Sequence, residues 1–196
     1  MTTEKQTKNI RPRFLDDIYR PDVKIGRFLY ILILFGIAFG LKRGVQDNYL
    51  AEIINIAPFE RGIVEFFREM PGLLLMFILA LMYRLTDSKI FKIGIAFMAG
   101  GAAGLLLTTA NEMFMSKVLV VFFMVLFSTG EHIIMPVRST IAMELAKREK
   151  AGASLGITTS INQLGNIAGF LIVTGLFYFL DRMGFSSTEL HVEELF

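Results

Sequence analysis

Residues 117–138 read KVLVVFFMVLFSTGEHIIMPVR, and this stretch decides in which solvent the chain folds. An unbroken apolar run fills 118–127, and Glu131 and His132 follow it before the next basic residue, Arg138. Ionisable side chains are rare inside membrane segments and usually face a cavity or a partner there. About 20 apolar residues cross a membrane as a helix, so 118–137 has the length of one crossing. We therefore expect a transmembrane helix with a carboxylate and an imidazole within it.

The composition also indicates a membrane protein. Of the 196 residues, 54% are hydrophobic and only 19% are charged, which is unlike a typical soluble domain. The absence of cysteine excludes a disulfide framework, a thiolate metal site and a cysteine nucleophile. A net charge of +2 is too small to indicate a nucleic-acid partner. No Gly-rich phosphate loop or other enzyme motif occurs, and His132 and His191 fall on opposite sides of the predicted fold. We therefore expect no enzyme, no cofactor and no metal site.

The N-terminal segment, 1–26, is polar and basic and lacks the apolar core of a cleavable signal peptide. We interpret it as a cytoplasmic tail. Two structures remain open for its RFLDDIY stretch at 13–19: a short helix at the membrane interface or a disordered segment.

Five segments are apolar enough to cross a membrane as helices. The apolar parts of the first two, 28–41 and 70–83, are short. Because unpaired backbone is not tolerated in lipid, we expect both helices to continue into their charged ends. Pro71 and Gly72 should kink the second. The predicted fold is an all-α integral membrane protein with spans at about 27–49, 62–84, 90–110, 118–137 and 153–180.

The basic residues indicate the orientation. Most of the 20 Lys and Arg residues fall in the N-terminal tail and in the loops after the second and fourth spans. Cytoplasmic loops are enriched in Lys and Arg, so this bias places the N-terminus in the cytoplasm, with the chain in the cell (inner) membrane. Five spans then leave 181–196 outside, as an extracytoplasmic tail that leads to a missing sixth helix.

Glycines four residues apart predict close helix packing. They occur at Gly100 and Gly104, at Gly152 and Gly156, and at Gly165 and Gly169.

Two explanations for Glu131 and His132 remain open. They form a site that binds substrate or exchanges protons near neutral pH. Alternatively, Glu131 has a structural role, in an ion pair with Arg138 or with a neighbouring helix.

A group of charges, here called the charged cluster, surrounds the ends of the first two spans. Arg61, Glu65, Arg68 and Gly72 recur on one face of a helix, and Glu69 lies one turn after Glu65. The end of the first span adds Lys42, Arg43, Gln46 and Asp47. Charges of both signs at similar depth predict an ion network that lines a water-filled cavity, and the alternative is a solvated loop beyond the membrane.

In the fifth span, Asn162 and Asn166 lie on a polar stripe, where their amides either join helices or bind a solute.

The order of these parts resembles the N-terminal half of a major facilitator superfamily transporter. The resemblance covers about 27–180 and includes FERGIVEFFREMPGLLLMFILALMYRLTDSKIFKIG at 59–94, the Gly-rich third helix, and MPVRSTIAMELAKREKAGASLG at 135–156. The family's signature between spans two and three is Gly-x-Leu-Ala-Asp-Arg-x-Gly-Arg-Arg. Residues 80–89 stand in its place, with Arg84 at the Asp and Asp87 at the second Gly.

The resemblance implies a secondary active transporter that moves a small solute by alternating access, coupled to protons or another ion. The family has twelve spans in two halves. The resemblance therefore also implies a truncated or split chain, whose partners are the bilayer, the solute, and the missing C-terminal half or another membrane chain. The alternatives are a non-transporting membrane subunit and a non-functional remnant. The predicted pathway residues are Arg43, Asp47, Glu65, Arg68, Glu69, Glu131, His132, Asn162 and Asn166.

Overall fold

The computed structural model describes residues 13–21, 25–108 and 113–183, and this part of the chain is built from α-helices. In chain order these are α1 (Arg13–Ile18), α2 (Ile25–Asn48), α3 (Pro58–Leu73), α4 (Leu75–Leu81), α5 (Asp87–Leu107), α6 (Met113–Leu145) and α7 (Ala151–Arg182). A π-helical turn, Tyr49–Ile53, continues α2. The helices long and apolar enough to cross a membrane are Ile25–Ile53, Asp87–Leu107, Met115–Leu145 and Ala151–Arg182. The chain is thus an all-α, multi-pass membrane protein. Most of the predicted tails, and His191 with them, lie outside the described residues.

The second predicted span, 62–84, is not one continuous helix. α3 and α4 are separated at Leu74, and neither alone has the length of a membrane crossing. The interruption comes just after Pro71, which has no N–H to donate and crowds the preceding turn. By length and composition, the described helices contain four candidate crossings where the sequence predicts five.

The fourth predicted span, 118–137, lies within a longer helix. α6 continues well past Arg138, to Leu145. Arg138 therefore lies inside a long helix, about 10 Å before its end at 1.5 Å per residue, and does not mark the helix terminus. Arg138 is therefore a basic residue within the helix bundle.

The bundle is built on two closely packed helix pairs, α2 with α7 and α5 with α6. α2 and α7 approach closely because Gly36 and Gly40 face Gly165 and Gly169. A Cβ added at Gly40 would stand 2.1 Å from the Asn166 carbonyl oxygen, and one at Gly165 would stand 3.1 Å from the Gly36 Cα. Small residues let helix backbones meet in this way in membranes.

The predicted glycine pairs differ in what they contact. Gly165 and Gly169 pack against α2, but Gly152 and Gly156 have no neighbour within 4 Å in the described part of the chain. On α5, Gly104 is tightly packed, since an added Cβ would stand 2.1 Å from the Phe123 ring of α6, whereas one at Gly100 would stand 3.7 Å from Leu126. Gly101 is packed as closely against the α6 backbone, although the spacing did not indicate it.

The outward-facing surface of the bundle is apolar. Leu81 is 87% exposed, Phe59 82% and Leu106 79%. Monomeric soluble proteins rarely expose large contiguous apolar surfaces. In a bilayer these side chains contact lipid, so the exposure agrees with a membrane protein.

The RFLDDIY segment forms a short helix, α1, which lies against the turn between α6 and α7. The Lys147 N–H donates to the Ile18 carbonyl oxygen at 2.9 Å, and Tyr19 forms an antiparallel bridge with Ala146. Leu15 and Tyr19 are buried there. Of the two structures open for this segment, the helix is the one observed, and it packs on protein.

Candidate functional site

Two polar cavities lie among α2, α3, α6 and α7. The first, here called the amide cavity, has a volume of about 150 Å³, and the second, the charged cavity, about 270 Å³. Arg43 and Glu131 line both, so the cavities meet at these two side chains. The amide cavity is otherwise lined by Phe35, Phe39, Ile134, Met135, Arg138, Asn162, Gln163 and Asn166. The charged cavity is otherwise lined by Lys42, Gln46, Asp47, Glu65, Arg68 and Phe170.

α2 supplies aromatic and basic groups to the junction, which is the place where the two cavities meet at Arg43 and Glu131. Phe35, Phe39 and Arg43 are four residues apart, so they lie on one face of the helix. The rings of Phe35 and Phe39 stack with centroids 6.2 Å apart, and the Arg43 guanidinium carbon lies 4.9 Å from the Phe39 centroid. The Lys42 ammonium lies 4.2 Å from the centre of the Phe127 ring. Cations are attracted to aromatic faces at such distances, so each side chain is oriented by the ring that it contacts.

Glu131 is the isolated carboxylate of the junction. It is 6% exposed and lies on α6 about 27 Å from Met113 and about 21 Å from Leu145, near the middle of that helix. It forms no hydrogen bond or direct ion pair with any described residue. The cations Lys42, Arg43 and Arg68 line the charged cavity together with it. Its charge is therefore balanced across the cavities and not by contact.

The proposed ion pair between Glu131 and Arg138 is wrong. The Arg138 Nη1 donates instead to the Asn162 Oδ1 at 2.8 Å, and the Asn162 Nδ2 donates to the Leu32 carbonyl oxygen at 3.2 Å. Asn162 thus joins α7 to α2 and to α6, which is the helix-joining role predicted for its amide. It also holds Arg138 in place at the wall of the amide cavity.

His132 serves a different part of the bundle from Glu131. Its Nε2 lies 3.5 Å from the Glu69 Oε2, and its Nδ1 lies 2.9 Å from the Ser128 carbonyl oxygen. The ring covers Gly72, where an added Cβ would stand 2.6 Å from Nε2. Successive residues of an α-helix point about 100° apart. The adjacent carboxylate and imidazole in the sequence are therefore not a functional pair: one faces α2 and the other faces α3.

Arg68 is the centre of the ion network predicted for the charged cluster. Its Nε lies 2.6 Å from the Glu65 Oε2, and its Nη2 lies 2.5 Å from the Glu69 Oε1. The Ser128 hydroxyl donates to its carbonyl oxygen at 2.5 Å. The Arg68 side chain is only 18% exposed. The guanidinium pairs with two carboxylates of its own helix, and the contacts of Ser128 with the Arg68 carbonyl and of His132 with Glu69 join α3 to α6.

Two further ion pairs tie the helix ends together. Arg61 pairs with Asp47, and the Lys117 ammonium lies 2.6 Å from the Glu60 Oε2. That ammonium, together with the Ala57 N–H, holds the pKa of the exposed Glu60 carboxyl below its usual range. Because a depressed carboxyl pKa favours the folded state when the group is ionised, this contribution is present near neutral pH and is lost as the pH falls through that pKa.

Asn166 retains an unused acceptor. Its Nδ2 donates to the Gln163 Oε1 at 3.2 Å, whereas its Oδ1 is buried and has no hydrogen-bond donor among the described residues. An added Cβ at Gly40 would stand 3.0 Å from this oxygen, so the oxygen lies beside the α2 backbone. Asn166 thus contributes to the α2–α7 contact as well as to the cavity wall.

The predicted pathway residues divide into two groups. Those that line the cavities are Arg43, Asp47, Glu65, Arg68, Glu131, Asn162 and Asn166. Glu69 and His132 do not line them. They lie next to each other, and Glu69 also pairs with Arg68.

Three kinds of lining residue were missing from the predicted set. Arg138 was interpreted as a helix terminus, although it lies seven residues from Glu131 and so shares its face. The spacing of Phe35 and Phe39 ahead of Arg43 was a usable signal for an aromatic wall. Lys42 had been noted in the charged cluster but not placed on the pathway.

The fold and the cavities define a multi-pass, all-α membrane protein with a charged interior. Comparison of the chain with protein-family models, with curated proteins and with solved structures gives no match. In residues 13–21, 25–108 and 113–183, no group of three or more His, Asp and Glu side chains is arranged to hold a metal ion.

Proposed function

We propose that this chain is a secondary active transporter, or part of one, which moves a small solute by alternating access and is coupled to protons or another ion. The observation that carries the proposal is the pair of polar cavities that meet at Arg43 and Glu131 inside an apolar bundle. The sequence resemblance to the N-terminal half of the major facilitator superfamily supports the same function.

The cost of the interior charges favours a functional role. Placing one charged side chain at the centre of a membrane helix costs about 2.5–3.5 kcal/mol on insertion scales. α2, α3 and α6 together place Lys42, Arg43, Arg68 and Glu131 around one junction. Packing alone does not require such groups, since apolar side chains of similar volume would pack at lower cost. A water-filled path for a polar solute does require them.

The size of the cavities suits a small solute. A water molecule occupies about 30 Å³ of liquid, so the amide cavity has room for roughly five waters. Arg43 and Glu131 line both cavities, and this is where a carrier would separate access from the two sides of the membrane. Glu131, buried without a direct partner, is the group we assign to ion or proton coupling.

We further propose that α3 and α4 together form a fifth crossing, with the N-terminus in the cytoplasm. Interrupted helices at membrane depth are common in transporters, where they flank the solute path. The break at Leu74 comes two residues after Gly72, and Gly72 lies against the His132 ring of α6.

Cysteine labelling tests this topology, because the chain contains no cysteine of its own. Ala57, Thr86 and Glu149 are exposed in three different turns. In intact cells, a membrane-impermeant maleimide should label Ala57→Cys, whereas Thr86→Cys and Glu149→Cys should react only after permeabilisation. Labelling of Thr86→Cys together with Ala57→Cys would show that α3 and α4 do not cross. Labelling of Thr86→Cys and Glu149→Cys, but not of Ala57→Cys, would reverse the orientation.

Transport itself is tested with the purified full chain in liposomes that contain a pH-sensitive dye. An imposed pH gradient and a panel of sugars, amino acids, carboxylates and organic cations should reveal at least one solute that triggers saturable proton movement. Arg43→Gln should reduce this movement at least tenfold, whereas Arg148→Gln, in the exposed turn between α6 and α7, should leave it unchanged. A folded protein that moves no member of the panel would refute transport by this chain alone, and would leave a part of a transporter or a non-transporting membrane subunit.

A further inference from the structure

We infer that the solute is a small organic carboxylate, bound in the amide cavity between Arg43 and Arg138. This inference rests on the proposed function and names the chemical class of its substrate. It follows from the charges that remain uncompensated once the ion pairs of the interior have been assigned.

Most carboxylates at the cavities are already neutralised. Glu65 pairs with Arg68, and Asp47 pairs with Arg61. Among the described residues, Glu131 is then the single cavity-lining carboxylate without a direct partner. Arg68 is shared between Glu65 and Glu69, so the uncompensated negative charge is that of Glu131 together with one carboxylate of this pair.

The cavity-lining cations are in excess over that charge. Lys42 and Arg43 contact aromatic rings, and Arg138 is hydrogen-bonded to a neutral amide, so none of the three has a carboxylate partner in the described structure. Aromatic faces and amides orient a cation without cancelling its charge. The excess leaves a positive interior that attracts an anion and repels a cation of similar size.

The position of the two arginines specifies the kind of anion. Both Arg43 and Arg138 line the amide cavity, and a guanidinium offers a planar pair of N–H donors that matches a carboxylate or a phosphate. The Asn162 Oδ1 fixes the Arg138 side chain from one nitrogen, which leaves its other donors available to a ligand.

The remaining walls favour an organic anion over an inorganic one. Phe35 and Phe39 present stacked rings along one side of the amide cavity, which suits a carbon skeleton. The side-chain amides of Gln163 and Asn166 line the same cavity and can hydrogen-bond a polar substituent. Inorganic phosphate would leave the aromatic wall without a contact.

Matched acids and amides test the inference on the purified full chain in detergent, at constant ionic strength. Calorimetric titrations compare lactate with lactamide and benzoate with benzamide, because each pair differs mainly in charge. Inorganic phosphate and choline are separate arms. We expect at least one carboxylate to bind saturably and its amide to bind at least tenfold more weakly. Equal binding of acid and amide, binding of phosphate or choline alone, or no saturable binding at all would overturn the inference.

Variants then locate the site. Arg138→Gln and Arg43→Gln should each weaken carboxylate binding at least tenfold, and the exposed Arg148→Gln should not change it. Arg138→Lys keeps the charge but loses the planar pair of N–H donors. Its affinity for the carboxylate should therefore lie between that of the wild type and that of Arg138→Gln. Unchanged affinity in both glutamine variants would place the anion elsewhere and overturn the site. The wild-type comparison of acid with amide needs no variant, so a variant that fails to fold leaves the inference testable.

The same experiment separates this inference from the proposed function. Saturable carboxylate binding without solute movement in liposomes would retain the anion site and refute the transporter. Saturable movement of a sugar or a cation, with no carboxylate binding, would retain the transporter and refute the anion site.

Discussion

Replacing Glu131 by Gln is expected to reduce gradient-driven solute accumulation at least tenfold and to flatten its dependence on pH. Glutamine has nearly the same shape but carries no charge and releases no proton. The variant therefore resembles permanently protonated Glu131. A carrier that uses this carboxylate for coupling would still exchange solute across the membrane but could no longer draw on the proton gradient.

The surroundings of Glu131 make this substitution informative. The facing groups are the cations Lys42, Arg43 and Arg68, with His132 exerting a weaker effect. Because Glu131 makes no direct ion pair in the described structure, the substitution breaks no specific contact, and the protein should remain folded. An Arg68 substitution, by contrast, would leave two carboxylates without their partner.

The measurement compares uptake driven by a pH gradient with solute exchange at equal pH, in liposomes that contain equal amounts of folded protein. Glu144→Gln is the matched control, since Glu144 lies on the same helix and is exposed. Unchanged pH dependence together with a lower protein yield would mean that Glu131 has a structural role instead. Equal effects of the two substitutions would also count against coupling through Glu131.

Replacing Gly40 by Ala should destabilise the bundle by about 1–3 kcal/mol, the usual cost of overpacking a well-packed interior. The added Cβ would stand 2.1 Å from the Asn166 carbonyl oxygen and 3.0 Å from its Oδ1. The nearest obstacle is backbone, which cannot rotate away as a flexible side chain can. α2 and α7 must therefore separate, and this separation also displaces Arg43 from the junction of the cavities.

Gly175→Ala is the control for this prediction, because Gly175 lies on α7 and has no neighbour within 4 Å in the described structure. Alanine is a better helix former than glycine by about 1 kcal/mol, so this variant should be as stable as the wild type or slightly more stable. Stability is measured as the temperature at which half of the detergent-solubilised protein stays monodisperse on size exclusion. Equal midpoints for Gly40→Ala and Gly175→Ala would show that α2 and α7 do not pack as described.

Local sequence patterns predicted the features that depend only on residues close together in the chain. Apolar runs of membrane-crossing length indicated the helices of an all-α membrane protein, because length and hydropathy alone decide that class. The pairing of Arg68 with Glu65 also followed, since residues three or four apart on a helix lie within reach of each other. The glycine spacing at Gly165 and Gly169 indicated a close interface, although the matching spacing of Gly36, Gly40 and Gly44 on α2 was overlooked.

Tertiary structure alone decided which groups meet between distant segments. Arg138 bonds to Asn162, 24 residues away, and Asn162 bonds to Leu32, 130 residues away. Helical periodicity shows which face of a helix a side chain occupies, but it does not show which helix lies opposite that face. The break at Leu74 has a local cause in Pro71. No local pattern, however, predicts that the neighbouring Gly72 lies against His132. Glu131 and His132 are neighbours in the sequence, yet the packing of α2 and α3 on two sides of α6 gave them different surroundings.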